Sequence, residues 1–251
     1  MSSGPYAPVP WSTVAPAAIP PPRSRVGVVA ALPGEAASCC VRRADWTVRV
    51  AGVGTASAAR AAEALVAEGA TTLLSWGTAG ALTASLPAGT LLLYARCRDP
   101  LQGTWYATHA PLRSSLRSAL SSLCPHECAA LTHATPLPTR AQKNAAFVDS
   151  GCEAVDMETS AVAAVAHAHD LPFLAVRAVV DPADFSLPAS ALAGMAADGG
   201  LVKVLAALAR RPGELGALLR LAWWYRRALV TLRAAAGLIE AASWEPERGD
   251  R

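Results

Sequence analysis

The stretch "TASAARAAEALVAEGATTLLSWG" (residues 55–77) contains signals for a helix, a stop and a strand in succession. The alanine-rich residues 55–69 favour a helix, and Gly69 suits its end because glycine is common just after a last helical turn. Residues 71–77, "TTLLSWG", are a short apolar run typical of a buried strand. Residues 46–52, "WTVRVAG", alternate in character and predict another strand before the helix.

The same alternation continues along the chain. Further apolar runs predict strands at 26–32, 89–96 and 172–180. Helices are predicted over 111–123 and directly after Met157. Strands that alternate with helices predict a three-layer αβα domain with a central mixed, mostly parallel sheet.

Two terminal segments differ from this pattern. Residues 1–23 are rich in proline and lack periodicity, so we expect a disordered tail. Residues 24–211 would form the α/β domain, and residues 212–251 a basic, amphipathic C-terminal helix and tail. No apolar run reaches the ~18–20 residues of a membrane-spanning helix, and no secretory signal is visible. We therefore expect a cytoplasmic protein.

The cysteines predict neither a disulfide framework nor a metal site. There are six cysteines in the chain, and their spacings do not resemble those of a disulfide-stapled protein. Cys124 and Cys128 with the nearby His133 offer three zinc ligands, but the paired spacing of a zinc site is missing. We expect reduced cysteines, no metal and no cofactor.

The positive charge is concentrated near the C-terminus. Residues 201–251 carry nine basic against five acidic side chains, whereas the whole chain has a net charge of only +3.

On a helical projection of 213–240, four arginines fall within about 140° of one another: Arg220, Arg226, Arg227 and Arg233. One alternative is a helix packed on the domain or on a neighbouring subunit. The other is an interfacial membrane helix with arginines near lipid headgroups. A nucleic-acid partner is not expected, because no base-reading motif is present.

Carboxylates follow two predicted strands and begin one predicted helix. Glu35 comes just after strand 26–32, and Asp181 follows strand 172–180. In α/β sheets, binding sites lie beyond the carboxyl ends of strands. Asp156 and Glu158 at the start of a helix have a simpler explanation, because a helix N-terminus stabilises negative charge by ~0.3–1 kcal/mol.

Glycine-rich segments follow two of the strands. "GTAG" (77–80) has small residues that would allow backbone N–H groups to approach a ligand. "GVGTAS" (52–57) resembles half of a dinucleotide-binding fingerprint but lacks its third glycine, so a tight turn is expected there.

The order of these segments resembles the nucleoside phosphorylase and nucleosidase superfamily. The similarity spans about residues 26–200 and rests on "VGVVAALPGE", "AGVGTASAA", "SWGTAGAL", "AVDMETSAVA" and "VRAVVDPAD". That superfamily includes purine and uridine phosphorylases and methylthioadenosine/S-adenosylhomocysteine nucleosidases. "DMET" departs from the more usual Glu-Met-Glu by one carboxylate length. The proline-rich start and the basic C-terminal helix look most like the hopanoid-associated branch, whose members are expected to release adenine from adenosylhopane.

The resemblance implies roles for individual residues. Glu158 would accept hydrogen bonds from the ribose hydroxyls above the Met157 backbone, with Asp156 supporting the pocket. Asp181 would protonate or hydrogen-bond N7 of adenine, and Glu35 would orient and deprotonate water. Further residues would line the sugar and nucleophile pocket: Val53, Gly77, Thr78, Ala79 and Gly80. Relatives keep an aromatic residue where this chain has "ATPLP" (134–138), so Phe185 is the candidate for stacking on the base.

The choice of nucleophile follows from missing arginines. A phosphate nucleophile needs arginines, and the resemblance implies them near "PGE" and "SWG", where this chain has none. Water is therefore favoured, with phosphate as the alternative co-substrate.

The resemblance also implies a homo-oligomer. The predicted reaction is cleavage of adenosylhopane to adenine and ribosylhopane. The alternatives are a soluble methylthioadenosine/S-adenosylhomocysteine nucleosidase, a phosphate-dependent purine nucleoside phosphorylase and a non-catalytic nucleoside-binding module.

Overall fold

The computed structural model describes residues 24–99, 101–195, 201–242 and 244. The tail predicted to be disordered, residues 1–23, lies outside these described residues. An eight-stranded sheet forms the centre of the described part, and helices cover both of its faces. The strands are β1 Val26–Ala30, β2 Trp46–Val50, β3 Thr72–Ala81, β4 Leu91–Arg98, β5 Trp105–Ala107, β6 His126–Thr132, β7 Ala154–Asp156 and β8 Phe173–Val179.

The sheet is mixed and mostly parallel, as predicted. Parallel pairs join β1 to β2 and β3, β3 to β8, and β6 to β4 and β7. Antiparallel pairs join β3 to β7, β4 to β5 and β4 to β8. Strands β3, β7, β6, β4 and β8 thus pair in a closed ring, with β1 and β2 extending from β3. Five strands in a ring leave few unpaired edges.

The third strand continues further than the sequence predicts. Residues 77–80 were expected to leave the sheet after strand 71–77, yet β3 runs on to Ala81. The reason is that partners are available on both sides. Gly77, Thr78 and Ala79 pair with β8, while Gly80 and Ala81 pair with β7. The small residues therefore lie in the sheet, and their neighbours hold them in an extended conformation.

Helices form the two outer layers, and each layer encloses its own apolar cluster. Helices α2 and α5 bury small side chains such as Ala58, Ala62 and Val162 against one face of the sheet. Helices α3 and α8 bury Leu116 and Leu232 against the other face. The helices are α1 Pro33–Ser38, α2 Thr55–Ala67, α3 Ala110–Ala119, α4 Arg140–Ser150, α5 Thr159–Ala168, α6 Ala189–Met195, α7 Leu201–Arg210 and α8 Leu215–Ala241.

The long helix α8 packs against the sheet along one side. Its buried residues belong to the same apolar cluster as strands β1, β3 and β8: Ala228, Leu232, Ala235, Ala236 and Ile239. Of the two sequence-based alternatives for this helix, packing on the domain therefore holds for its inner side. Its outer side is exposed at Leu219, Trp223 and Val230. Among the described residues, no helix is long and apolar enough to cross a membrane.

Candidate active site

A cavity of about 380 Å³ opens where several strands end. Residues directly after β1, β7 and β8 line it, together with the distal part of β3. Nine of the predicted site residues are among its lining: Glu35, Val53, Thr78, Ala79, Gly80, Asp156, Met157, Glu158 and Asp181. The four predicted carboxylates therefore line the same cavity.

Glu35 is held by three donors on two neighbouring segments. It lies in the first turn of α1, where its Oε2 accepts a hydrogen bond of 3.0 Å from the Leu32 N–H. Its Oε1 accepts the Thr78 N–H at 2.8 Å and the Thr78 hydroxyl at 2.7 Å. The residue is only 2% exposed. These contacts fix the carboxylate in one orientation at the cavity wall.

Arg177 lies beside this carboxylate, and sequence reasoning misses it. Its Nη2 donates to Ser75 Oγ at 2.7 Å and to Thr159 Oγ1 at 2.8 Å. A Cβ on Gly77 would stand 2.6 Å from Arg177 Nη1 and 2.9 Å from the Glu35 carboxyl carbon. Gly77 therefore lies between the charged groups of Arg177 and Glu35, where there is no room for a larger side chain. It is not one of the residues that line the cavity. The sequence feature that could have indicated Arg177 is its position inside the otherwise apolar strand β8.

Asp156 organises the start of α5. Its Oδ1 accepts the backbone N–H groups of Glu158 at 3.0 Å and of Thr159 at 2.9 Å. Its Oδ2 accepts the Thr159 hydroxyl at 2.5 Å and lies 3.7 Å from Arg177 Nε. The helix-terminus explanation therefore holds for Asp156, which also serves as the counter-ion of a buried arginine. Both functions orient Glu158, the next carboxylate along the chain.

Glu158 is a desolvated carboxylate at the cavity. Its Oε1 accepts the Gly54 N–H at 2.9 Å, and Gly54 has a φ of +101°, a backbone conformation that favours glycine. Burial raises the pKa of Glu158 to about 7, the Arg177 charge opposes this shift, and Asp156 adds to it. Within "GVGTAS", Val53 and Gly54 form a bend before α2 begins at Thr55, and the Gly54 N–H in that bend donates to the carboxylate of Glu158.

Asp181 is paired with a lysine that sequence reasoning also misses. Lys143 on α4 places its Nζ 2.6 Å from Asp181 Oδ2, and its side chain is 1% exposed. The same Nζ donates to the carbonyl oxygens of Pro182 at 2.8 Å and Phe185 at 3.0 Å. Burial raises the pKa of Asp181, and the Lys143 ammonium opposes the shift.

The remaining walls of the cavity are apolar. Thr135, Pro136 and Leu137 line one part, so the segment "ATPLP" does reach the site. Helix α8 supplies a second part, which sequence reasoning does not predict: Leu218, Leu221, Ala222 and Tyr225. Burial and the nearby Glu35 raise the pKa of Tyr225 to about 12, so its phenol is neutral at physiological pH.

The structure corrects the expectation for Phe185. Its ring packs edge-to-face on Trp224 with centroids 4.8 Å apart, and the residue is absent from the described lining of the cavity. The reason is that the backbone after Asp181 is tied to Lys143, while α8 offers an aromatic partner on the other side. Stacking on a base by Phe185 is therefore not supported by this arrangement.

The charged side chains in the described cavity lining are all acidic. The ionisable lining side chains other than Tyr225 are carboxylates, namely Glu35, Asp156, Glu158 and Asp181, with no lysine or arginine among them. Arg177 is not part of that lining and is engaged by hydroxyl groups. The described residues also contain no cluster of three histidine, cysteine or acidic side chains that could hold a metal ion.

Comparison with known proteins identifies the family. Residues 28–198 match the profile of the Phosphorylase superfamily, so the chain belongs to that superfamily. Its nucleosidases and phosphorylases are enzymes that cleave N-glycosidic bonds, which confirms the sequence-based assignment to an enzyme of this type. A search of curated protein sequences found no match.

Solved structures show the same fold at low sequence identity. Futalosine hydrolase of Helicobacter pylori strain 26695 is 13% identical with a TM-score of 0.66, over 87% of this chain and 98% of that chain. The Neisseria meningitidis methylthioadenosine/S-adenosylhomocysteine nucleosidase in complex with methylthio-immucillin-A is 16% identical with a TM-score of 0.65, over 87% and 99% of the two chains. The Helicobacter pylori enzyme of that name with butyl-thio-DADMe-Immucillin-A is 13% identical, with a TM-score of 0.65 over 88% and 98%.

Proposed function

We propose that this protein hydrolyses the N-glycosidic bond of a 5′-substituted adenosine and releases adenine. The observation that carries this proposal is the set of carboxylates around one apolar cavity, in which Glu35 is fixed by three donors and Asp181 by a buried lysine. Two carboxyl groups with different surroundings suit a reaction that needs both a base and an acid.

Each carboxyl group has a separate role in this reaction. Glu35 deprotonates the attacking water, and Asp181 protonates N7 so that adenine leaves as a neutral molecule. Glu158 accepts hydrogen bonds from the ribose hydroxyls. The sugar carbon passes through an oxocarbenium-like transition state, as in glycoside hydrolysis. General acid and general base catalysis each contribute typically ~10²–10⁴-fold.

Water is the proposed nucleophile because the described cavity lining lacks a cation for phosphate. A phosphate dianion beside Glu35 and Glu158 would meet two carboxylates. Arg177, which lies beside Glu35, donates to Ser75 and Thr159 and to the carbonyl of Thr78. Its charge is also balanced by Asp156. No cofactor has a part in the proposed reaction.

The apolar wall contributed by α8 favours an apolar 5′ substituent. Leu218, Leu221 and Ala222 line the cavity with Leu187 and Ala191. We propose adenosylhopane as the substrate, which would yield adenine and ribosylhopane in hopanoid biosynthesis. Methylthioadenosine is the second candidate, because its methylthio group is also apolar. The structural relatives named above also include two methylthioadenosine/S-adenosylhomocysteine nucleosidases.

A lipid substrate would have to be met at a membrane, and the outer side of α8 offers a surface for this contact. Leu219 is 62% exposed and Trp223 is 58% exposed on the same helix as Arg220 and Arg226. An apolar strip next to arginines suits the cytoplasmic face of an anionic membrane. We propose peripheral contact there, and a homo-oligomer as the working assembly.

Isotope labelling tests the reaction directly. The purified protein is incubated with adenosylhopane and, separately, methylthioadenosine, in H₂¹⁸O with and without phosphate. We expect adenine release independent of phosphate and one ¹⁸O atom at C1′ of the free sugar. A sugar 1-phosphate that forms only with added phosphate would overturn the choice of water. A larger kcat/KM for methylthioadenosine would favour the second substrate.

A further inference from the structure

We infer that Lys143 is a positioning residue for catalysis, holding the carboxyl group of Asp181 and stabilising the negative charge left there when adenine departs. This inference rests on the proposed role of Asp181 as the acid. It goes beyond that role because it assigns a function to a side chain on α4 that is not part of the described cavity lining.

The geometry leaves the ammonium group with little freedom. Lys143 Nζ lies 2.6 Å from Asp181 Oδ2, 2.8 Å from the Pro182 carbonyl oxygen and 3.0 Å from that of Phe185. An ammonium group has three N–H donors, so these contacts use its full capacity. The side chain is 1% exposed, and water therefore does not compete for the donors.

The position of Lys143 is itself fixed by the start of α4. Thr139 and Gln142 form a reciprocal capping box there, and Lys143 N–H donates to the Thr139 carbonyl at 3.0 Å. A rigid first turn holds the lysine stem against the segment after β8. The lysine therefore constrains Asp181 from a separate element, and the carboxyl group has one defined orientation over Gly80.

The proton balance shows why a cation is useful at this position. Asp181 gives its proton to N7, the C1′–N9 bond breaks with its electron pair moving to adenine, and water adds to C1′ while Glu35 takes its proton. Asp181 is then a carboxylate in a buried place. Burial alone raises the pKa of Asp181 and would resist this ionisation, whereas the adjacent ammonium favours it. Among the described residues, Lys143 is the charged group that acts on the Asp181 pKa.

Kinetics of Lys143→Met, which removes the charge but keeps much of the stem, test the inference. With the adenine nucleoside we expect kcat/KM to fall by ~10–10³-fold, since an opposite charge at this distance lowers a carboxyl pKa by about 1–3 units. The basic limb of the pH profile should move to higher pH by about the same number of units, because Asp181 without its cation keeps its proton longer. Lys143→Arg should restore the limb.

A second substrate separates catalysis from folding. A 4-nitrophenyl riboside with the same 5′ substituent has a leaving group that departs without protonation. Lys143→Met should hydrolyse it within about threefold of wild type, since general acid catalysis is not required. Arg113→Met is the matched control. It removes an ion pair in which Arg113 Nε lies 3.0 Å from Glu127 Oε2, outside the described cavity lining, and should leave the hydrolysis rates of both substrates unchanged. An equal loss on both substrates by Lys143→Met would show a structural role only and overturn the inference.

A double variant distinguishes this inference from the proposal on which it rests. If Lys143 acts through Asp181, Lys143→Met in the Asp181→Asn background should cause no further loss, a non-additivity typical of coupled residues. Wild-type turnover in Asp181→Asn would refute the role of Asp181 itself. Loss of turnover in Asp181→Asn with an unchanged rate and pH profile in Lys143→Met would refute only the role of the lysine.

Discussion

Replacing Glu158 with glutamine should stabilise the protein at alkaline pH. Burial moves the pKa of Glu158 from 4.5 to about 7 in the folded protein. Each unit of pKa difference between the folded and unfolded states corresponds to about 1.36 kcal/mol. The free energy of unfolding should therefore be lower by about 3 kcal/mol above pH 7 than below pH 4.5, owing to this carboxyl group alone.

The sign follows from the protonation of the two states. Between pH 4.5 and about 7, the unfolded chain has lost the Glu158 proton while the folded protein retains it, so stability declines as pH rises. Glutamine is neutral throughout this range, and its Oε1 can still accept the Gly54 N–H that Glu158 accepts at 2.9 Å. Glu158→Gln should thus match wild type near pH 4.5 and exceed it by about 3 kcal/mol at pH 8.5.

Urea unfolding of both proteins at the two pH values measures this difference. A change of about 3 kcal/mol corresponds to a rise in Tm of about 6–12 °C for a domain of this size. Glu68→Gln, which changes an exposed carboxylate paired with Arg49, is the control and should show no such pH-dependent gain. A stability difference that is equal at pH 4.5 and pH 8.5, or a loss at pH 8.5, would refute the reasoning. Above pH 7, where Glu158 is ionised, the variant should also bind the nucleoside more weakly, because the ribose hydroxyls in the proposed complex lose a charged acceptor.

Three further changes probe the base, the acid and the outer surface. Gly77→Ala should lower kcat/KM by about 10²-fold, because its Cβ would stand 2.9 Å from the Glu35 carboxyl carbon and displace Glu35, the proposed base. Steady-state kinetics of the folded variant checks this. Asp181→Asn should slow adenine release by at least ~10², measured by chromatography of the product, and wild-type rates would exclude it as the acid. Leu219→Glu combined with Trp223→Glu should reduce cosedimentation with anionic liposomes but leave the turnover of methylthioadenosine unchanged, and unaltered cosedimentation would argue against membrane contact through this strip.

The elements that the sequence predicts well are those with a continuous apolar signal. Strands β1, β3, β4 and β8 are apolar runs that are buried along most of their length. Strand β7 is only three residues long, Ala154–Asp156, and is too short to show a period. Helix α4 is missed because its residues are mostly polar, although Thr139 and Gln142 at its start have the spacing of a capping box.

The candidate site divides in the same way. Glu35, Glu158 and Asp181 follow strands or begin a helix, so their placement could be predicted from the fold alone. Arg177 and Lys143 could not, because the role of each depends on a buried carboxylate far away in the sequence. Ion pairs across such separations depend on tertiary packing, and neither local propensity nor periodicity contains that information. The requirement for glycine at position 77 could not be predicted either, because it is Arg177 and Glu35 together that leave no room for a side chain there.

Helix α8 shows why the two sides of one helix need different experiments. Its inner side contributes Leu232 and Ile239 to the core and Leu218 and Tyr225 to the cavity. Truncation before α8 would expose that core and open the cavity, so it would harm every substrate and every surface at once. Substitutions at the exposed strip leave the inner side intact, and each arginine near an anionic surface contributes about 1 kcal/mol that salt can screen. The membrane contact proposed for α8 should therefore weaken at high salt in the full-length protein, while adenine release from methylthioadenosine at the same salt concentration continues.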